Sequence, residues 1–345
     1  PSCPKIFHGR GVELRDLISI LVADSARTAI LGPGGMGKTT LAMAALHHPT
    51  IIEKYTLRHF ISCESANTCA DLVTSIGLHL GLELSRQLSK AILQHFGKCG
   101  SCLVVLDNFE TPWEPLESRG QVEDFIAFLA DIPSLALLVT MRGAERPGKV
   151  KWSRPFLPPL EPLPTSASRQ IFLAVADEPN AAEELALDDL LNLSGSLPLA
   201  VSLMANIASF EGYLGTLSRW QIENTSLLSD GHDKRSNLEK SIALSLGSPR
   251  ISASPDAKSL LALLSLLPDG MRAEDIMASK VPIPDIRQSQ TVLVRTSLAY
   301  IDAKGRLKAL SPIREYIRRV HPPSPSVSRP LRTYFQDLLK LWQST

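Results

Sequence analysis

The stretch Gly32-Pro33-Gly34-Gly35-Met36-Gly37-Lys38-Thr39-Thr40 fits G-x-x-x-x-G-K-[ST], a pattern that works only between a strand and a helix. Both neighbours are present. Thr28-Ala29-Ile30-Leu31 is a short apolar run with β-branched residues, as a buried strand requires, and Leu41 to Leu46 is a strong helix former with no breaker until Pro49. The glycines let the backbone curl round a phosphate and aim successive N–H groups at it, and the helix start adds its positive dipole end. Lys38 is then placed to reach the β- and γ-phosphates, and the Thr39 hydroxyl to hold Mg²⁺.

A chain of 345 residues has room for two or three domains with their own cores. With 36 Lys and Arg against 35 Asp and Glu, it offers no electrostatic case for nucleic acid or a membrane surface. No apolar run approaches the length of a membrane span and no secretory signal opens the chain. Beginning at Pro1 rather than Met, it reads as a piece of something longer. The cysteines (Cys3, Cys63, Cys69, Cys99 and Cys102) are odd in number and lack framework spacing, which suits a reducing, cytoplasmic setting. Zinc at Cys99-x-x-Cys102 needs two more ligands, and its only partners, Cys63 and Cys69, fall on another strand and the loop after it. Plain thiols are the better reading.

Strands alternate with helices along the first part. A helix follows Phe7-His8-Gly9-Arg10 through Val12, Leu14, Leu17, Ile18 and Leu21. Strands are expected at Leu57 to Cys63, Cys102 to Asp107 and Leu135 to Thr140, with helices at Asp71 to Leu80, Ser85 to Phe96 and Val122 to Leu129. Near-continuous apolar strands imply a parallel sheet covered on both faces. The proline-rich Arg154 to Pro164 reads as a last short edge strand running into a linker. Helical periodicity follows at Ile171 to Ala176, Ala181 to Leu193, Leu199 to Ile207 and Leu217 to Ser226. The polar Ser229 to Lys234 marks a boundary. A third block has helices at Leu238 to Leu246, Lys258 to Leu267, Ile276 to Ala278, Gln288 to Val294 and Ile313 to Val320. Leu298 to Asp302 and Arg306 to Leu310 flank Ala303-Lys304-Gly305 as a hairpin, so this block has the make-up of a winged helix. His321 to Pro325 reads as a linker before a helix at Leu331 to Leu341. The expected fold is α/β: a P-loop parallel sheet at 1–158, a small helical domain at 159–230, a winged-helix domain at 235–322, and a linker with the start of a further helix at 323–345.

Asp107, at the carboxyl end of its strand, stands where a second Mg²⁺ ligand belongs. Hydrolysis also needs a group to activate water. Asn108 cannot serve as a base, and Glu110 is the nearest carboxylate. Arg142, ending Thr140-Met141-Arg142, is a candidate reader of the γ-phosphate. Gly195-Ser196-Leu197-Pro198-Leu199-Ala200, taken alone, is a helix start with proline in its first turn.

In their order these pieces resemble the NB-ARC family of STAND-class ATPases, the nucleotide switches of apoptosis and of NOD-like innate-immunity receptors, most like fungal members. Phe7-His8-Gly9-Arg10 resembles the family's opening segment near the adenine, Leu103 to Glu110 (LVVLDNFE) its second acidic block, Thr140-Met141-Arg142 its sensor, and Gly195 to Leu199 its G-L-P-L motif. Leu264 to Gly270 and Leu310 to Ile317 resemble the winged-helix region. The resemblance implies ADP or ATP with Mg²⁺ as ligands. Phe7, Gly9, Arg10, Gly32, Gly34, Gly35, Met36, Gly37, Lys38, Thr39, Thr40, Pro198 and Ser311 would contact the nucleotide, Thr39 and Asp107 the metal, and Lys38, Asp107, Glu110 and Arg142 would act in catalysis. It also implies self-oligomerisation in the ATP state and sensor and effector segments outside these residues. Two positions depart from the family pattern. Asn108 replaces a second acid, so hydrolysis is expected to be slow, and Ser311 stands where the family has a histidine on the β-phosphate of ADP. The competing readings are a continuously cycling AAA+-like ATPase and a winged-helix DNA-binding regulator using Arg314, Arg318 and Arg319.

Overall fold

The computed structural model describes residues 2–223, 225, 228, 238–302 and 304–343. The expected polar boundary at Ser229 to Lys234, the hairpin residue Ala303 and part of the end of the helix expected to reach Ser226 lie outside the described residues. Contacts divide the chain into two units, one of residues 1–32 and 36–161 and the other of residues 33–35 and 162–345.

The first unit is built on four parallel strands, β1 (Arg27–Leu31), β2 (Leu57–Ser62), β3 (Cys102–Asp107) and β4 (Leu135–Met141), in the order β1-β4-β3-β2. Its helices are α1 (Gly11–Val22), α2 (Lys38–Leu46), α3 (Pro49–Lys54), α4 (Cys69–His79), α5 (Leu88–Lys98), α6 (Glu110–Trp113) and α7 (Leu116–Ala130). Every residue of β3 and β4 is buried, as strands covered on both faces must be. Alternate residues Ala29, Leu31, Val104, Leu106, Leu137 and Val139 share one core with Leu72 and Ile76 of α4, Ile92 and Phe96 of α5, and Val122 and Ile126 of α7. Helices α1, α2 and α3 pack on one another, with α1 and α2 also against β1.

Helix α2 ends at Leu46, before Pro49 as expected, and Pro49 then opens α3 from the first turn, where its missing N–H costs nothing. One expectation is corrected by proline. The segment from Arg154 to Pro164 forms no strand. Ser153 N–H donates to Arg27 O at 2.8 Å and Leu160 N–H to Leu31 O at 2.8 Å, so this segment touches the two ends of β1. Pro155, Pro158 and Pro159 between them have no N–H to build a ladder.

The second unit is mostly helical: α8 (Thr165–Leu173), α9 (Glu184–Ser194), α10 (Pro198–Glu223, with Gly212 out of helical conformation), α11 (Leu238–Leu246), α12 (Pro249–Ser252), α13 (Pro255–Ser265), α14 (Ala273–Ala278), α15 (Ile286–Arg295), α16 (Ser311–Val320) and α17 (Pro325–Gln343). Helices α8, α9 and α10 pack together, and α13 lies against α15 and α16. A short antiparallel pair, β5 (Tyr300–Ile301) with β6 (Leu307–Lys308), is extended by a bridge from Leu307 to Met271. Helix α17 starts at Pro325, earlier than the apolar periodicity from Leu331 suggests, because Pro325 again occupies a helix start.

Candidate functional site

All four parallel strands deliver their carboxyl ends to one edge of the sheet, the edge at which such sheets collect ligands. There β1 runs into Gly32, whose φ of 147° only glycine adopts with ease. A Cβ on it would lie 3.3 Å from both the backbone N and O of Leu160. The loop ends at Gly37, the left-handed residue (φ 85°) that starts α2 and leaves that helix's first N–H groups facing the loop. Lys38 is buried and curls back over the loop, donating from Nζ to the Gly32 carbonyl at 2.9 Å.

Arg10 supports the loop from behind. Its buried guanidinium pairs with Glu13 at 2.7 Å and donates to the carbonyls of Met36 at 3.3 Å and Glu161 at 2.6 Å. Of the other expected nucleotide contacts in this unit, Phe7 and Thr40 are half-buried, Gly9 is exposed with a φ of 72°, and the Met36 side chain is buried.

Asp107 is fully buried, and its Oδ1 accepts hydrogen bonds from the hydroxyls of Thr39 and Thr140, each at 2.7 Å. Thr140 Oγ1 in turn accepts from the Asn108 N–H at 3.1 Å. The expected pair Thr39 and Asp107 is therefore brought together. Thr140, absent from the expected site residues, joins them as the group that orients the carboxylate. Its signal in the sequence was a single hydroxyl in an otherwise apolar strand, which must find a partner once buried. A hydroxyl and a carboxylate at this spacing form an all-oxygen donor set that suits Mg²⁺.

Just beyond Asp107 the chain turns through Asn108 in the left-handed region (φ 57°), which asparagine tolerates better than most residues. That turn delivers Glu110 to the start of α6. Glu110 is buried, and both its oxygens are engaged by Arg142: Oε1 accepts from Nε at 3.1 Å and Oε2 from the backbone N–H at 3.2 Å. Glu110, the candidate base, and Arg142, the candidate reader of the γ-phosphate, are thus bound to each other. Burial pushes the Lys38 ammonium down to about 8; Glu110 and Asp107 partly oppose this, whereas Arg142 adds to it.

The remaining expected residues, Pro198 and Ser311, belong to the second unit. There α9 ends on left-handed Gly195 (φ 59°), Ser196 follows with a φ of 55°, and Pro198 opens α10. Leu199 N–H donates to the Gly35 carbonyl at 3.1 Å, since residues 33–35 group with this unit. Ser311 opens α16, and its Oγ accepts from Arg314 at 3.3 Å. Arg318 donates to the Ser265 carbonyl at 2.8 Å and pairs with Glu315 at 3.1 Å, while Arg319 pairs with Glu239. All three arginines considered for a DNA face are therefore engaged within the unit. Among the described residues no group of three or more His, Cys, Asp and Glu side chains is arranged to hold a metal. Burial pushes the Cys63 thiol well up and the Cys102 thiol to about 12, as in plain buried thiols.

A glycine loop with a buried lysine, feeding a helix whose threonine meets a strand-end aspartate across a parallel sheet, defines a P-loop fold of the Walker ATPase class. Residues 13–111 match the NB-ARC domain, the family that the order of motifs resembles. Over most of its length the chain is similar in fold to the Walker-type ATPase of Pyrococcus abyssi, at 15% identity, covering 91% of this chain and 96% of that one with a TM-score of 0.60. It is also similar to the ORC2 protein of Aeropyrum pernix, solved as ADPNP–ADP complexes, at 14% identity, covering 100% and 97% with a TM-score of 0.53. At such identities the likeness is one of fold. No curated protein matches the sequence. No helix among the described residues is long and apolar enough to cross a membrane.

Proposed function

We propose that the chain is a nucleotide-dependent switch that holds ADP in a resting state and exchanges it for ATP to open and self-associate, passing on a signal in innate immunity or regulated cell death. The observation that carries this reading is the engagement of Glu110 by Arg142 beside the glycine loop, Lys38 and the Thr39–Asp107 pair. Lys38 and the N–H groups at the start of α2 would hold the phosphates. Thr39 and Asp107 would hold Mg²⁺, whose contribution is to neutralise charge on the phosphate oxygens. Arg142 would register the terminal phosphate. The Thr39–Asp107 pair and the glycine loop support binding, whereas Glu110, the nearest carboxylate, is bound to an arginine and Asn108 offers no base. Slow turnover follows, and a slow hydrolase suits a switch better than a motor.

The helices and short hairpin of the second unit would act as a helical domain followed by a winged helix, with Pro198 and Ser311 as its contributions to the nucleotide. A γ-phosphate shifts such an equilibrium only through contacts it makes in one state and not the other. Nucleotide extracted from the purified protein should be mostly ADP, and Lys38→Arg should lose it. Recovery of mostly ATP, or many turnovers per minute at saturating ATP, would overturn the switch.

A further inference from the structure

We propose that Glu110 is a positioning residue for Arg142 and not the base that activates water. The inference rests on the nucleotide-switch reading and assigns one residue's role within it. The geometry is that of a tether. Glu110 leaves the end of β3 by way of the left-handed Asn108, and Arg142 follows the end of β4, the neighbouring strand. One carboxylate oxygen takes the Nε–H of Arg142 and the other takes its backbone N–H, so the same group fixes both the start of the side chain and its shaft.

The side chains of Glu110 and Arg142 are 9% and 18% exposed, so their charges meet away from bulk water, where a charge-assisted pair is strong and an unpaired member is costly. A carboxylate serving as base would have to turn one oxygen to water and give up one of its two bonds to Arg142. A fixed tether pays no such cost on each cycle. The same carboxylate supports the charge on Lys38, so it helps organise both cations of the site.

The test compares the affinities of a non-hydrolysable triphosphate and of ADP, each with Mg²⁺, in Glu110→Ala, Glu110→Gln, Arg142→Ala and the double alanine variant. Thermal melting confirms that each variant is folded. Loss of one charge-assisted bond to a phosphate should lower the triphosphate-to-ADP preference by about tenfold or more in Arg142→Ala. Glu110→Ala should match that loss, the double variant should add nothing further, and Glu110→Gln should recover part of it, because its amide oxygen still accepts from Nε. If Glu110→Ala leaves the preference intact while abolishing turnover, Glu110 is the base and the proposal fails. It fails equally if the two single losses multiply in the double variant. If the wild-type protein binds neither nucleotide, it is the nucleotide-switch reading itself that has failed.

Discussion

Burial strips Lys38 of its hydration and makes its ammonium more acidic, with a pKa pushed down to about 8 from 10.5. The sign is unambiguous. Below about pH 8 the folded protein keeps the charge that a phosphate needs; above it that charge is lost, while the unfolded chain holds its proton up to about 10.5. ADP affinity should therefore fall as pH rises through 8, and binding above that pH should take up a proton as the phosphates restore the charge. Calorimetric titrations in buffers of different ionisation enthalpy would measure the uptake, and none at pH 8.5 to 9 would contradict the burial argument. Thr140 and Asn108 show the same economy in neutral groups. One hydroxyl orients Asp107 and one left-handed turn aims Glu110.

Among the elements, the hairpin of the second unit depends on a glycine outside it. Gly270 has a φ of 66°, and a Cβ there would overlap the Leu307 carbonyl oxygen, part of the reciprocal pair in which Met271 N–H reaches Leu307 O at 3.1 Å and Leu307 N–H reaches Met271 O at 2.9 Å. Gly270→Ala should cost at least about 2 kcal/mol, combining left-handed strain with displacement of β6, and should lower the urea midpoint. A neutral result would mean that Met271 and Leu307 separate without penalty. Elements were legible in the sequence where one signal dominated. The fully buried β3 and β4 came out nearly to the residue, since a strand buried on both faces has little freedom in composition. Proline was read less well, because its missing N–H ends a helix from inside yet suits its first turn. Only the fold decides which of these applies at Pro49 and Pro325.

Across the whole molecule, the two units have separate sets of internal contacts, and the sheet unit has its own apolar core. Heating should accordingly give two transitions, and Mg²⁺–ADP at a hundred times its Kd should stabilise the sheet unit by about 2.7 kcal/mol. Differential scanning calorimetry checks both, and a single transition unmoved by nucleotide would refute the division and the site together.

The sequence by itself determined the loop, its flanking strand and helix, and the aspartate that faces them, because these follow from local spacing and from the alternation of apolar strands with helices. Tertiary structure alone decided what the polar groups do. Glu110 and Arg142 are partners across two strand ends, and Thr140 meets Asp107 across neighbouring strands. Such pairings depend on strand order, and no periodicity along the chain records which strand lies beside which.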